Sequence, residues 1–413
     1  MSGAQVAAVA LGALALVAAC SGRSEPPAGS GPSVEPSATS VAEPTTAVPR
    51  ATTPPDPEPL ASPIAPTGVA DLDEDLIEIA RFVEAERGHA FREPIRVQLL
   101  DDAAFERRVV AASAEEEAVV RAEQERLQAL GLLPASADLI EVNRAATREG
   151  ALGFYEPGSG ALVVRGSDLT PFTRSTIAHE LTHALDDQLF DLDEVQAAIA
   201  DDDRAFGLLS LVEGDAEQVG DAYVEAMTPA ERARLGVEES RFAEAMDLGA
   251  LPPSLIEIVE SPYERGAELV AHLRAQGGTE ALDAAFRDPP PSSEAVLHLA
   301  RYDERDQPVE VPIPPADGPP VEDGVLGELV LVEMLSAQLA PAEARRAGEG
   351  WAGDHFVRWA RGDGTSCVRD DLRADDAEEL DELADALRRW AARHGAAEVE
   401  QPSSGTVRVT ACG

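Results

Sequence analysis

Apolar residues recur at two spacings along this chain, and the changes between them divide it into elements. Leu76, Ile79, Ala80 and Val83 stand at helical spacing and predict an amphipathic helix over residues 72–87. Residues 95–100 read as a strand, and the acidic stretch 101–130 as one or two helices. Two strand-like runs between residues 151 and 165 flank Pro157, Gly158, Ser159 and Gly160, which predicts a β-hairpin. Residues 170–187, TPFTRSTIAHELTHALDD, return to helical spacing. Thr170 is placed to cap that helix, and Pro171 suits its first position because a missing N–H costs nothing there. Ile177, Leu181, Ala184 and Leu185 form its apolar side.

A second strong helix is predicted over 204–227. Residues 229–300 read as helical hairpins punctuated by Pro252-Pro253, Pro262, Gly277-Gly278 and the prolines at 289–291. A proline-rich acidic connection, 303–324, precedes an apolar helix at 325–339. The pattern then gives strands at 355–359 and 365–369, an amphipathic helix at 374–394 and a strand at 406–411. This order predicts an α+β fold, with a small sheet beside a helical lobe and a C-terminal αβ unit.

The N-terminal region follows a different logic. Residues 4–19, AQVAAVALGALALVAA, are apolar but short for a membrane span, and they suit the core of a signal peptide. Val17-Ala18-Ala19-Cys20 resembles the lipobox of bacterial lipoproteins, which implies a lipidated Cys20 and an exported chain anchored to the cell membrane, facing outward. Residues 22–68 are rich in Pro, Ser, Thr, Ala and Glu and cannot bury enough apolar surface to offset their ordering entropy. The expected organisation is a signal peptide at 1–19, a lipidated tether at 20–68, a main domain at 69–320 and a C-terminal subdomain at 321–413.

Charge narrows the partners. The net charge is −44 over 413 residues, and every basic residue is arginine. Such a chain repels phosphate backbones, so nucleic acid is excluded as a partner.

The candidate chemistry lies in His179-Glu180-Leu181-Thr182-His183. Histidines four apart share one helix face, so both imidazoles reach one zinc ion (Zn2+), with Glu180 beside it as a general base. A hydrolytic zinc site keeps three protein ligands and leaves a position for water. Glu213, in Leu211-Val212-Glu213-Gly214-Asp215-Ala216-Glu217, is the preferred third ligand; Asp215, Glu217 and Asp221 compete with it. Its apolar neighbours Leu209 and Val212 favour it, as does Gly214, which would let two helices approach closely.

HELTHAL followed by EGDA resembles the gluzincin metallopeptidases, whose third zinc ligand is a glutamate on a following helix. GFYEP, LVVRG, HELTHALDDQ, LVEGDA, SPYERG, PPSSEAVLH, LGEL and GWAGD together are similar to a family of exported bacterial zinc-peptidase-like proteins, over most of residues 150–370. The resemblance implies a zincin-like domain, zinc on His179, His183 and Glu213, and Glu180 as the base. It places Glu217 where thermolysin-like enzymes carry an aspartate that orients a zinc histidine. Tyr263 and His298 fall in the shared motifs and are candidates to donate a hydrogen bond to a reaction oxyanion.

With Cys20 lipidated, Cys367 and Cys412 remain as an even pair, which predicts a disulfide. The expected activity is hydrolysis of peptide or protein substrates outside the cytoplasm. The alternative is a non-catalytic, peptidase-like lipoprotein that binds cell-envelope partners.

Overall fold

The computed structural model describes residues 59–413, except 114–116, 143, 145–151, 167, 200 and 246–250. The signal segment, Cys20 and most of the tether lie outside the described residues. The fold begins earlier than position 69, however. Ile64 is 2% exposed, packs in the same core as Leu76 and Ile79, and pairs in parallel with Ile95. A single anchoring isoleucine among prolines carries no periodicity, so composition alone hides it.

Helix α1 (Ala70–Arg87) buries Leu76, Ile79, Ala80 and Val83 and ends at Gly88 in the left-handed conformation. Strand β1 (Arg96–Leu100) leads into α2 (Asp102–Ser113) and α3 (Glu117–Ala129). The hairpin forms as predicted, from β2 (Gly153–Glu156) and β3 (Ala161–Arg165). The three strands make a sheet in the order β1-β3-β2, with β1 parallel to β3. Strand β2 is therefore an edge.

Next come α4 (Pro171–Phe190), α5 (Leu192–Ala197), α6 (Asp202–Ala226) and α7 (Pro229–Ala245). Helix α8 (Pro253–Arg287) corrects the expectation of short hairpins, because it runs through Pro262 as part of a 35-residue stretch. Proline forfeits one backbone hydrogen bond, and packing along α6 outweighs that loss. The break comes at Gly277 and Gly278, which leave helical geometry. Two short helices follow, α9 (Ser293–Leu297) and α10 (Leu299–Glu304).

The C-terminal unit is a five-stranded antiparallel sheet in the order β4-β5-β6-β8-β7. Its strands are β4 (Pro320–Gly324), β5 (Trp351–Ala360), β6 (Ser366–Ala374), β7 (Ala397–Ser403) and β8 (Thr406–Cys412). Helices α11 (Gly327–Ser336), α12 (Pro341–Gly348) and α13 (Ala377–His394) connect them. Leu383, Leu387 and Trp390 of α13 share a core with Phe356, Leu372 and Val409. Cys367 and Cys412 lie directly across β6 and β8 and form the disulfide. The molecule is thus α+β. No helix among the described residues is long and apolar enough to cross a membrane.

Helices α6 and α8 meet backbone to backbone. A Cβ on Gly214 would stand 2.2 Å from the Gly266 carbonyl carbon, and one on Gly266 would stand 2.1 Å from the Ser210 oxygen. Neither glycine can be replaced without moving a helix. Gly214→Ala is expected to cost on the order of 3 kcal/mol in urea unfolding. Gly220→Ala, on the same helix with nothing within 4 Å, should instead gain about 0.5–1 kcal/mol from helix propensity. Equal effects at the two positions would show that the close approach does not hold the pair.

Candidate metal centre

Helix α4 starts as its sequence dictates. Thr170 accepts a hydrogen bond from the Thr173 N–H, and Pro171 occupies the first turn. Ile177, Leu181, Ala184 and Leu185 are fully buried against α1 and Leu162 and Val164 of β3. With that side committed to the core, His179 and His183 face α6.

Their meeting with α6 gives a compact triangle of ligand atoms. His179 Nε2 and His183 Nε2 are 3.0 Å apart. Glu213 Oε2 lies 3.3 Å from the first and 3.5 Å from the second. Ligands held tetrahedrally at about 2.0–2.1 Å from one ion stand about 3.3 Å from each other. The three edges match that figure, so these residues fit a zinc-sized ion. The donor set agrees, since two imidazoles and one carboxylate are a familiar set for this metal and leave one position open. Glu213 Oε2 is buried and has no hydrogen-bond donor, as expected of an oxygen reserved for a cation.

Of the competing acids, Asp215 turns away to Arg87 and Arg274, and Asp221 is exposed. Glu217 places Oε1 3.6 Å from His179 Nδ1, on the far side of that ring. At that distance the longer side chain approaches the orienting position without closing a hydrogen bond. Burial pushes its carboxyl up to about 7.

Glu180 lies beside the triangle. Its Oε2 accepts a 2.9 Å hydrogen bond from the Tyr155 N–H, and a carboxylate oxygen comes within 4.8 Å of ligand nitrogens on both histidines. Tyr155 lies on β2, whose outer edge therefore faces Glu180. Burial raises the Glu180 carboxyl above its ordinary range although both imidazoles oppose this. A carboxylate kept easy to protonate is what a proton carrier requires.

Tyr263, one turn before Gly266 on α8, is 1% exposed. Burial and the facing carboxylates of Glu213, Glu217 and Glu180 push its hydroxyl well above the ordinary range. His298 belongs to another neighbourhood. Its Nε2 bonds Glu328 Oε1 at 2.9 Å, and the charges facing it are Glu328, Glu294 and Glu349. The structure thus brings together His179, Glu180, His183, Glu213 and Tyr263, and seats His298 on α11. Arg165 and Arg174 pair with Asp102 and Glu231.

Sequence reasoning missed Arg87. At the end of α1 it is fully buried, with its guanidinium carbon 5.6 and 5.4 Å from the ring centres of Phe190 and Phe286, which stack on each other beside it. Its guanidinium reaches Asp186 at 2.8 Å, Asp215 at 2.6 Å and Asp283 at 2.9 Å. The available signal was the pair of acids following the ligands, three residues after His183 and two after Glu213.

Without metal, Glu213 and His183 titrate as a pair. Burial works against both charges, yet Glu213 lifts His183 to about 9 and His183 draws Glu213 down to about 2. The histidine contribution to metal-free stability is complete below about pH 6.5 and fades as pH rises through about 9. The glutamate contribution is present above about pH 4.5 and is lost toward pH 2. In a metal-free NMR titration His183 should deprotonate near pH 9, and Glu213→Gln should move that midpoint down by more than one unit. An unmoved midpoint would show that another group charges the ring.

Among comparisons with known proteins, a family model described as a domain of unknown function (DUF8575) matches residues 318–412, which hold the five-stranded sheet and its helices. No curated protein matches the chain, and no solved structure does.

Proposed function

We propose that the chain is a zinc-dependent peptidase of the gluzincin type, with a zincin-like main domain and a lipid anchor at Cys20 that holds it outside the cytoplasm. The observation that carries the reading is the triangle of His179, His183 and Glu213, with its 3.0, 3.3 and 3.5 Å edges and Glu180 beside it. Zinc bound there would polarise a carbonyl and bring the pKa of water near 7.

The rest is work for the chain's own residues. Glu180 takes a proton from the attacking water as its oxygen bonds the carbonyl carbon, then delivers it to the nitrogen as the C–N bond breaks. The Tyr263 hydroxyl, buried beside Glu213, is available to donate to the oxyanion. Glu217 holds the ring of His179. Alternation along β2 leaves Gly153 and Tyr155 facing away from β3, so an extended peptide can add as a further strand beside Glu180. The Cys367–Cys412 disulfide supports an oxidising compartment, in keeping with export.

Metal content is the deciding measurement. Full-length protein purified without chelator should carry about one zinc per chain, lost in His183→Ala and Glu213→Ala. Glu180→Gln should keep the metal and lose about 10²–10⁴-fold in peptide turnover. Wild-type protein that neither holds nor takes up zinc would leave the envelope-binding reading in front. A zinc-loaded Glu180→Gln variant with undiminished turnover would remove Glu180 from the mechanism.

A further inference from the structure

The two histidines of the triangle differ behind their rings. Glu217 stands 3.6 Å from Nδ1 of His179, whereas Nδ1 of His183 is buried with no hydrogen-bond partner. One helical turn on, Asp186 is fully buried, and its Oδ2 also lacks a partner. Residues three apart on a helix are side-chain neighbours, so a spare donor and a spare acceptor lie on the same stretch of helix face. Leaving both unmade in the interior is costly.

The other oxygen of Asp186 is already committed. Oδ1 accepts from Arg87 at 2.8 Å, and Arg87 is held by Asp215, Asp283 and two aromatic rings. Asp215 Oδ2 also completes no hydrogen bond, but it stands 2.6 Å from Arg87 Nε as an ion pair, and its Oδ1 accepts from Arg274 at 2.7 Å. Of the two acids following the ligands, only Asp186 shares helix α4 with His183, three residues on.

We propose that Asp186 is the positioning residue for His183, accepting its Nδ1–H when Nε2 faces the metal, and that Arg87 aims Asp186 for this task. The inference rests on the zinc reading above and adds an element to it. Helix α1, outside the stretch that resembles the peptidase family, sets the affinity of the metal centre. Each histidine then has its own carboxylate, Glu217 for His179 and Asp186 for His183. A hydrogen bond of this kind fixes the tautomer and ring orientation of a ligand and makes it a better donor to the metal.

The test compares two aspartates that share Arg87. Zinc affinity is measured by chelator competition on full-length wild type, Asp186→Asn and Asp215→Asn, beside thermal unfolding of each metal-free protein. Asp186→Asn should weaken zinc about 10–100-fold and shift the visible absorption of the cobalt-substituted form. Asp215→Asn should lower the unfolding midpoint while zinc affinity stays within about threefold. Wild-type affinity in Asp186→Asn would overturn the proposal, and so would equal losses in both variants, which would mean that the aspartates act only through helix packing.

One measurement does not depend on either variant folding. In zinc-loaded wild type the Nδ1 proton of His183 should resonate far downfield and exchange slowly, and a freely exchanging proton there would overturn the assignment. Failure of the wild type to bind zinc would instead remove the zinc reading itself, and this proposal with it.

Discussion

A guanidinium with no access to water governs the arrangement of the main domain. Burying Arg87 alone would cost several kcal/mol, and the fold meets that cost with three aspartates from three helices and two aromatic faces. Asp186 comes from α4, Asp215 from α6 and Asp283 from α8, while the arginine closes α1. Any of these helices sliding by a turn would strand a buried charge. The clamp therefore sets the register of α4 against α6, one turn from His183 and two residues from Glu213. The metal triangle lies within reach of the arginine that holds its scaffold in place.

Four buried glutamates, three of them at the triangle, show how environment sorts chemically equal groups. Glu213 faces two imidazoles and is drawn down to about 2, so it stays charged at every relevant pH. Glu217 faces one imidazole along with other acids and is pushed up to about 7. Glu180 is also raised, held by a backbone N–H from an edge strand. Glu328, far along the chain, serves His298 instead. Their differing charge states follow from what each side chain faces. They do not follow from side-chain type.

That sorting also marks what was legible in the sequence. Local features were readable, because each depends on residues within a few positions of one another. They include the Thr170 cap, the apolar side of α4, the hairpin around Pro157–Gly160 and the spacing of His179 and His183. The close helix approach expected at Gly214 was also readable, and the structure shows it against Gly266. The Cys367–Cys412 pairing followed from the cysteine count once Cys20 was set aside as the lipidation site of an exported chain. Arg87 was not legible, since its three partners lie 99, 128 and 196 positions away and nothing local marks it. Strand β4 and strand β7 were missed for a related reason. PVEDG and AEVEQPS carry few apolar side chains, and edge strands need only one buried neighbour to form.

The remaining shared motifs answer to the joint between the two units. Asp203, in the first turn of α6, accepts a hydrogen bond from the Ser293 N–H at 3.0 Å, and Ser293 Oγ accepts from the Leu329 N–H at 3.2 Å. Asp354 of β5 accepts from the N–H groups of Leu326 and Gly327 and from Trp351 Nε1, at 2.7, 2.9 and 2.9 Å. Apart from Asp203, these residues belong to PPSSEAVLH, LGEL and GWAGD, three stretches with no evident chemistry when read alone. Together they tie the start of α6 to the C-terminal sheet through buried hydrogen bonds, which hold geometry more tightly than apolar contact does. Helix α6 is thereby held at two points, by this joint at its first turn and by Arg87 at Asp215. Glu213 lies between them. The C-terminal unit thus fixes one end of the helix that carries Glu213, and the eleven residues from Asp203 to Glu213 are continuous α-helix.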